Sequence, residues 1–261
     1  EYKVMGLAPY GKPERLDEMR QIVSLRDDGS YRLNLDYFRH HKEKIDYEWE
    51  NGIPAVGTLF SEQLESLLGP ARTNEDELTQ EHFDLARSVQ AMYEEAFFHL
   101  LNTLHARHGI DQLALSGGCA MNSVANGKVY RNTPYKNVYI QSAAGDAGGA
   151  IGAAFSAWHE SGSGGKRDFY MDHSYWGPQF SNKQIKTVVG KYDSRLEDEG
   201  CSVESFENRD GLFDKVAGEI ADGKVIGWFQ GRMEWGPRAL GNRSIICDPR
   251  RADMKDILNL K

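Results

Sequence analysis

Apolar residues recur at steps of three and four between Gln80 and His108: Phe83, Ala86, Val89, Tyr93, Ala96, Phe97, Leu100 and Leu104. That spacing lays them along one helical stripe, and Gly109 supplies a stop directly after it. The pattern predicts a long helix over 80–108 as the main helix packed on a sheet. Its histidines, His99, His105 and His108, are read as structural. Beyond Gly109 the period shortens. Leu113-Ala114-Leu115 and Val138-Tyr139-Ile140 are brief apolar runs, ended by Ser116-Gly117-Gly118 and by Ala144-Gly145-Asp146-Ala147-Gly148-Gly149. The stretch Leu113–Ala154 therefore reads as strand, glycine turn, helix, strand, glycine turn, helix. Its last helix is small and apolar (Ala150, Ile151, Ala153, Ala154), so it is expected to pack tightly on a sheet.

Weaker periodicities fill in the rest. Positions 56, 59, 60, 64, 67 and 68 make a helical stripe over Val56–Leu68 that ends at Gly69-Pro70. Arg15–Val23 reads as a short helix and Ser24–Leu35 as a hairpin around Asp27-Asp28-Gly29-Ser30. Glu1–Pro13, with Gly6 and Gly11 bracketing Leu-Ala-Pro-Tyr and Lys3 and Lys12 flanking them, reads as a shaped loop. Asp36–Glu50 is charged and aromatic. Its adjacent His40 and His41 would point to opposite faces of a strand, so they are taken as surface residues. Glu160–Lys166 is a Gly/Ser-rich boundary. After it come a capping box at Ser181 and Gln184, a helix over Leu212–Ala221 and a buried-type strand over Lys224–Phe229.

A length of 261 residues suits one large or two modest domains. Hydrophobic content of 40% and a mean hydropathy of −0.59 fit a globular protein in water. No apolar run nears the roughly 20 residues that span a bilayer. The chain starts at Glu1 and stops just after a helical-looking run, so it is expected to be a piece of a longer protein. The net charge of −8 argues against a general nucleic-acid or anionic-membrane binder. Cys119, Cys201 and Cys247 show no metal-type spacing and are odd in number, which points to a reducing cytoplasm.

Two places carry candidate chemistry. At the first, Gly117 and Gly118 let backbone approach a ligand closely, and Asn122, Ser123 and Asn126 open a helix whose free N–H groups favour an anion. With the second glycine turn and its single carboxylate, Asp146, this suggests a nucleotide site at the C-terminal ends of strands. Ordinary glycine-edged turns with Asp146 as a helix cap are the alternative. At the second, Gln230–Arg250, the residues Arg232, Arg238, Arg243 and Arg250 stand among Gly231, Gly236, Gly241 and two prolines. In an acidic chain this suggests recognition of phosphate or another oxyanion, with Glu234 orienting an arginine. The alternative is a bracing network of these arginines with Glu234, Asp248 and Asp253.

Three blocks in order resemble the NodU/CmcH-type O-carbamoyltransferases of nodulation factors and antibiotics: VMGLAPYGKP, SGGCAMNSVAN…AAGDAGGAIGAA and GWFQGRMEWGPRALGNRSIICDPR. The resemblance covers essentially the whole chain. It implies an α/β fold: the C-terminal half of an actin-like nucleotide-binding domain over 1–159, related to the tRNA threonylcarbamoyl transferases. A linker over 160–172 and the start of a YrdC-like domain over 173–261 would follow. It further implies ATP, carbamoyl phosphate and a divalent metal, Fe(II) or Mg/Mn. Carbamoyl adenylate would form first, and its carbamoyl group would then pass to a hydroxyl of a sugar, oligosaccharide or other small natural product. By the same resemblance Asp146 is a metal ligand. Gly117, Gly118 and Asn122 hold adenosine together with Gly145 and Gly148, and Arg232, Arg238 and Arg243 are the catalytic contacts to phosphate or adenylate.

The sequence departs from the family in one respect. The family's other metal ligands include a His-x-x-x-His pair in an N-terminal half, and here the nearest spacing is His105 and His108. The chain is therefore expected to hold half of each site and to be inactive alone. No nucleic-acid or membrane partner is expected, and the oligomeric state is open between monomer and homodimer. Two rivals remain: an actin-like sugar kinase, which leaves the arginine loop unexplained, and a non-catalytic nucleotide-binding subunit.

Overall fold

The computed structural model describes residues 2–73, 75–162, 165–166 and 169–259. The expected linker thus falls partly outside the described residues, at Ser163, Gly164, Arg167 and Asp168, as does the side chain of Lys3. The architecture is mixed α/β, in two compact units, Glu1–Ile140 and Gln141–Lys261.

In chain order the first unit contains α1 (Tyr2–Leu7), α2 (Leu16–Ile22), β1 (Val23–Leu25), β2 (Tyr31–Leu33), β3 (Tyr47–Glu50), β4 (Ile53–Val56) and α3 (Glu62–Leu68). Then come α4 (Gln80–His108), β5 (Gln112–Leu115), α5 (Ser123–Asn126), α6 (Val129–Asn132) and β6 (Asn137–Ile140). The second unit contains α7 (Gly149–Glu160), α8 (Asn182–Val189), α9 (Asp193–Asp198), α10 (Arg209–Ala221), β7 (Ile226–Phe229), β8 (Arg243–Ile246) and α11 (Met254–Asn259).

Helix α4 has the predicted bounds and ends where Gly109 turns left-handed, at φ 64°. Two apolar clusters form beside it. Met92 packs with Met19 and Ile22 of α2, and Leu101 packs with Val129 and Tyr135, flanked by Leu113, Leu115 and Val138. Strands β5 and β6 are parallel, with Leu113 opposite Val138 and Leu115 opposite Ile140. The predicted strand–turn–strand order is therefore present, with helices α5 and α6 in the crossover.

Several expectations are corrected. The Val56–Leu68 stripe is helical only over Glu62–Leu68, because Val56 ends a hairpin strand. That hairpin, β3–β4, turns at Asn51-Gly52 with φ of 51° and 81°, an Asn-Gly signal that outweighs the apolar spacing. Glu1–Pro13 is not a loop: α1 and a 3₁₀ turn at Ala8–Tyr10 form there and pack on α4. Gly11 lies so near the Phe83 carbonyl that a Cβ would collide with it. The exposed His40 and His41 lie in a turn, outside any strand.

Along α4, Val89 and Leu100 are 39% and 36% exposed, whereas the polar Ser88 and Gln90 are buried. Helix α7 is not buried: Gly152, Ala153, Ala154 and Ala157 are exposed. Strand β7 is half-buried in alternation, with Phe229 53% exposed, because its only sheet neighbour among the described residues is antiparallel β8. No described helix is long and apolar enough to cross a membrane.

Candidate functional site

In the first unit the chain leaves β5 through Gly117, whose φ of 95° excludes an ordinary side chain without strain. Gly118 opens a 3₁₀ turn over Gly118–Met121. Both glycines are exposed. Asn122 then caps α5, its Oδ1 accepting the Ala125 N–H at 3.1 Å. The helix it opens has only four residues, so it musters little of the predicted dipole.

A polar stripe of α4 holds this segment. Gln90 and Asn122 exchange two amide hydrogen bonds, at 3.2 and 2.9 Å. The Tyr93 hydroxyl donates to the Cys119 carbonyl at 3.0 Å, and Lys128 Nζ meets both oxygens of Glu94 at 2.7 and 2.6 Å. Residues 90, 93 and 94 share one face at helical spacing, which explains why polar groups are buried on α4. Burial pushes the Tyr93 hydroxyl up to about 12, with Cys119 and Glu94 adding to it. Within the same segment, Asn126 Nδ2 donates to the Ala120 carbonyl at 2.7 Å, while its Oδ1 is buried without a partner among the described residues.

In the second unit Gly145 and Gly148 frame a 3₁₀ turn over Asp146–Gly148, closed by the Gly148 N–H on the Gly145 carbonyl at 3.0 Å. Asp146 is exposed. This turn neighbours the arginine loop. Gly236 has φ 123°, and a Cβ there would lie 2.5 Å from the Ser142 carbonyl oxygen, too near for any side chain. Inside this unit Gly236 of the arginine loop thus packs against Ser142 and Ala143, and Gly148 of the Asp146 turn packs against the Ala143 carbonyl.

The loop is internally tied. Glu234 is 7% exposed, and its Oε1 accepts N–H groups from Leu240 at 2.8 Å, Asn242 at 2.7 Å and Arg243 at 3.2 Å. Burial pushes this carboxyl up, but those backbone donors outweigh it and hold it near about 2. Glu234 therefore binds backbone, in place of the arginine expected.

The four arginines are not equivalent. Arg250 forks onto Asp248, whose carboxyl it holds down at about 2. Arg243 donates to the carbonyls of Gln230, Asn242 and Gly231, and its guanidinium lies 3.5 Å over the Phe229 ring. Arg232 uses only Nε, on the Gly177 carbonyl at 3.2 Å. Arg238 is exposed and has no hydrogen bond or ion pair among the described residues. The bracing network thus exists for Arg250 with Asp248 and for Arg251 with Asp253, and it leaves Arg238 out.

Residues 174–178 support the loop, a role that their sequence did not signal. Ser174 O accepts the Trp235 N–H at 2.6 Å, Gly177 N–H donates to Met233 O at 2.8 Å, and the Tyr175 hydroxyl donates to Leu240 O at 3.1 Å. The indole N–H of Trp235 is buried without a partner among the described residues.

Residues 1–155 match the carbamoyltransferase N-terminus family model, and residues 217–261 match the carbamoyltransferase C-terminus model. The chain belongs to the carbamoyltransferase family. An uncharacterised protein of Synechocystis sp. is 42% identical over all of this chain and 40% of its own length. Nodulation protein NolNO of Sinorhizobium fredii is 38% identical over 99% of this chain and 34% of its own length. The 3'-hydroxymethylcephem-O-carbamoyltransferase of Amycolatopsis lactamdurans is 31% identical over 56% of this chain and 25% of its own length. The chain thus spans about two fifths or less of the curated relatives named here.

The resemblance also implies a metal at Asp146. Among the described residues no group of three His, Cys, Asp or Glu could hold a metal ion. The described residues thus supply fewer than three such ligands around Asp146.

Proposed function

We propose that this chain belongs to a cytoplasmic O-carbamoyltransferase that takes its carbamoyl group from carbamoyl phosphate. Water would first split carbamoyl phosphate into carbamate and inorganic phosphate, and the carbamate oxygen would then attack the ATP α-phosphorus, giving carbamoyl adenylate and releasing pyrophosphate. A hydroxyl of a sugar or another natural product would then attack the carbamoyl carbon, forming the carbamate ester and releasing AMP. The proposed frame is the C-terminal half of an actin-like domain over 1–159 and the start of a YrdC-like domain over 173–261.

The observation that carries this reading is the state of the arginines. Arg243 and Arg250 spend their guanidinium groups inside the protein, while Arg238 keeps all of its donors and Arg232 keeps its terminal ones. A planar guanidinium with free donors suits an acyl phosphate or adenylate phosphate. Arg238 and Arg232 are thus assigned to the donor phosphate and Arg243 to holding the loop. Gly117 and Gly118 would let backbone approach the nucleotide, with Asn122 fixing that turn.

The test uses Asp146→Asn and Arg238→Ala in the full-length protein. Asp146 is proposed as one ligand of a divalent metal at the transfer step, so the first variant should lose carbamoyl transfer and keep carbamoyl-phosphate-dependent pyrophosphate release; the second should slow both at limiting carbamoyl phosphate. Loss of pyrophosphate release in the Asp146 variant would sink this division of labour. A kinase would instead move the ATP γ-phosphate onto the acceptor, which isotopic labelling distinguishes.

A further inference from the structure

Glycine-rich loops usually bind anions through their own N–H groups. In this loop three of those groups, near its end, are already taken. The N–H groups of Leu240, Asn242 and Arg243 all converge on Glu234 Oε1, so a side chain of the loop sits where a phosphate oxygen could have been. At that end of the loop anion recognition then falls to side chains. Arg238 stands in the closed part, between Glu234 and Leu240 in sequence. The loop is fixed from outside by Gly236 against the Ser142 carbonyl and by Met233 paired with Gly177 and Pro178.

We infer that Glu234 is a positioning residue for the donor site: its carboxylate closes the loop and thereby fixes where Arg238 presents its guanidinium. This rests on the carbamoyl phosphate reading above. The effect requires an acceptor at Oε1 rather than a charge near the substrate, since the carboxylate faces backbone. A knot that merely stabilised the fold would lower the melting temperature without selectively weakening one substrate.

A double-mutant cycle separates the two cases. In the full-length protein, KM for carbamoyl phosphate and for ATP is read from pyrophosphate release, beside the melting temperature. Arg238→Ala should raise KM for carbamoyl phosphate roughly ten- to hundredfold, the size expected for a lost charge-assisted contact. Glu234→Ala should raise the same KM comparably while KM for ATP stays within about twofold, and the double variant should be no worse than Arg238→Ala alone. Glu234→Gln keeps an Oε1 acceptor and should recover most of the loss, which also covers the case in which Glu234→Ala fails to fold. Additive effects in the double variant, or no recovery with glutamine, would overturn the positioning role alone. An unchanged KM in Arg238→Ala would overturn the donor-site reading and the positioning role with it.

Discussion

The side-chain amides of Gln90 and Asn122 face each other and exchange two hydrogen bonds, at 3.2 and 2.9 Å, across 32 residues of sequence. Gln90 is 3% exposed, so its amide depends on this partner. Asn122 also caps α5. Asn122→Ala removes a cap and strands a buried amide, and should cost about 2 kcal/mol in urea unfolding. A loss below about 0.5 kcal/mol would show that the pair is not a brace.

The two faces of α4 should respond differently. Leu101 is 2% exposed, and Leu101→Ala should cost about 2–5 kcal/mol. Val89, 39% exposed, belongs to the stripe read from the sequence, yet Val89→Ala should cost no more than about 0.5 kcal/mol. Equal losses would return the buried face to the one that the periodicity alone suggested.

The difference between expectation and structure on α4 has a physical origin. Apolar spacing locates a helix well, and here it gave the bounds of α4. It does not reveal that Gln90 is buried, and Tyr93 and Glu94 half-buried, against polar partners on a segment about 30 residues away. The glycine turns and the arginine loop were legible because their residue types are unusual for a regular element. The fate of each arginine was not legible, since it depends on which backbone carbonyls the fold brings near it. The β3–β4 hairpin was legible in principle from Asn51-Gly52, but the apolar spacing after it drew the reading toward helix.

Acid should unlatch the arginine loop. The Glu234 carboxyl lies near about 2 in the folded protein, against an ordinary 4.5. A lowered folded value means that its contribution is full above the ordinary value and is lost as pH falls from about 4.5 through about 2. Melting temperatures of the native protein and Glu234→Gln should therefore converge across that window and keep a constant gap between pH 5 and 9. A gap that changed between pH 5 and 9 would contradict the assignment.

Gly236 should tolerate no side chain. Its φ of 123° is unfavourable for alanine, and the added Cβ would press on the Ser142 carbonyl at 2.5 Å. Gly236→Ala should cost at least about 1–2 kcal/mol from the backbone conformation alone. It should also speed amide hydrogen exchange across 232–243 and 142–146 together. Faster exchange in only one of these segments would show that they are not braced on each other.

The most direct test of the central claim is pyrophosphate release from ATP by the full-length protein, with and without carbamoyl phosphate and with no acceptor present. The account predicts release that requires carbamoyl phosphate and that falls roughly tenfold or more in Arg238→Ala when carbamoyl phosphate is limiting. Nucleotide binding with no carbamoyl-phosphate-dependent release would contradict it.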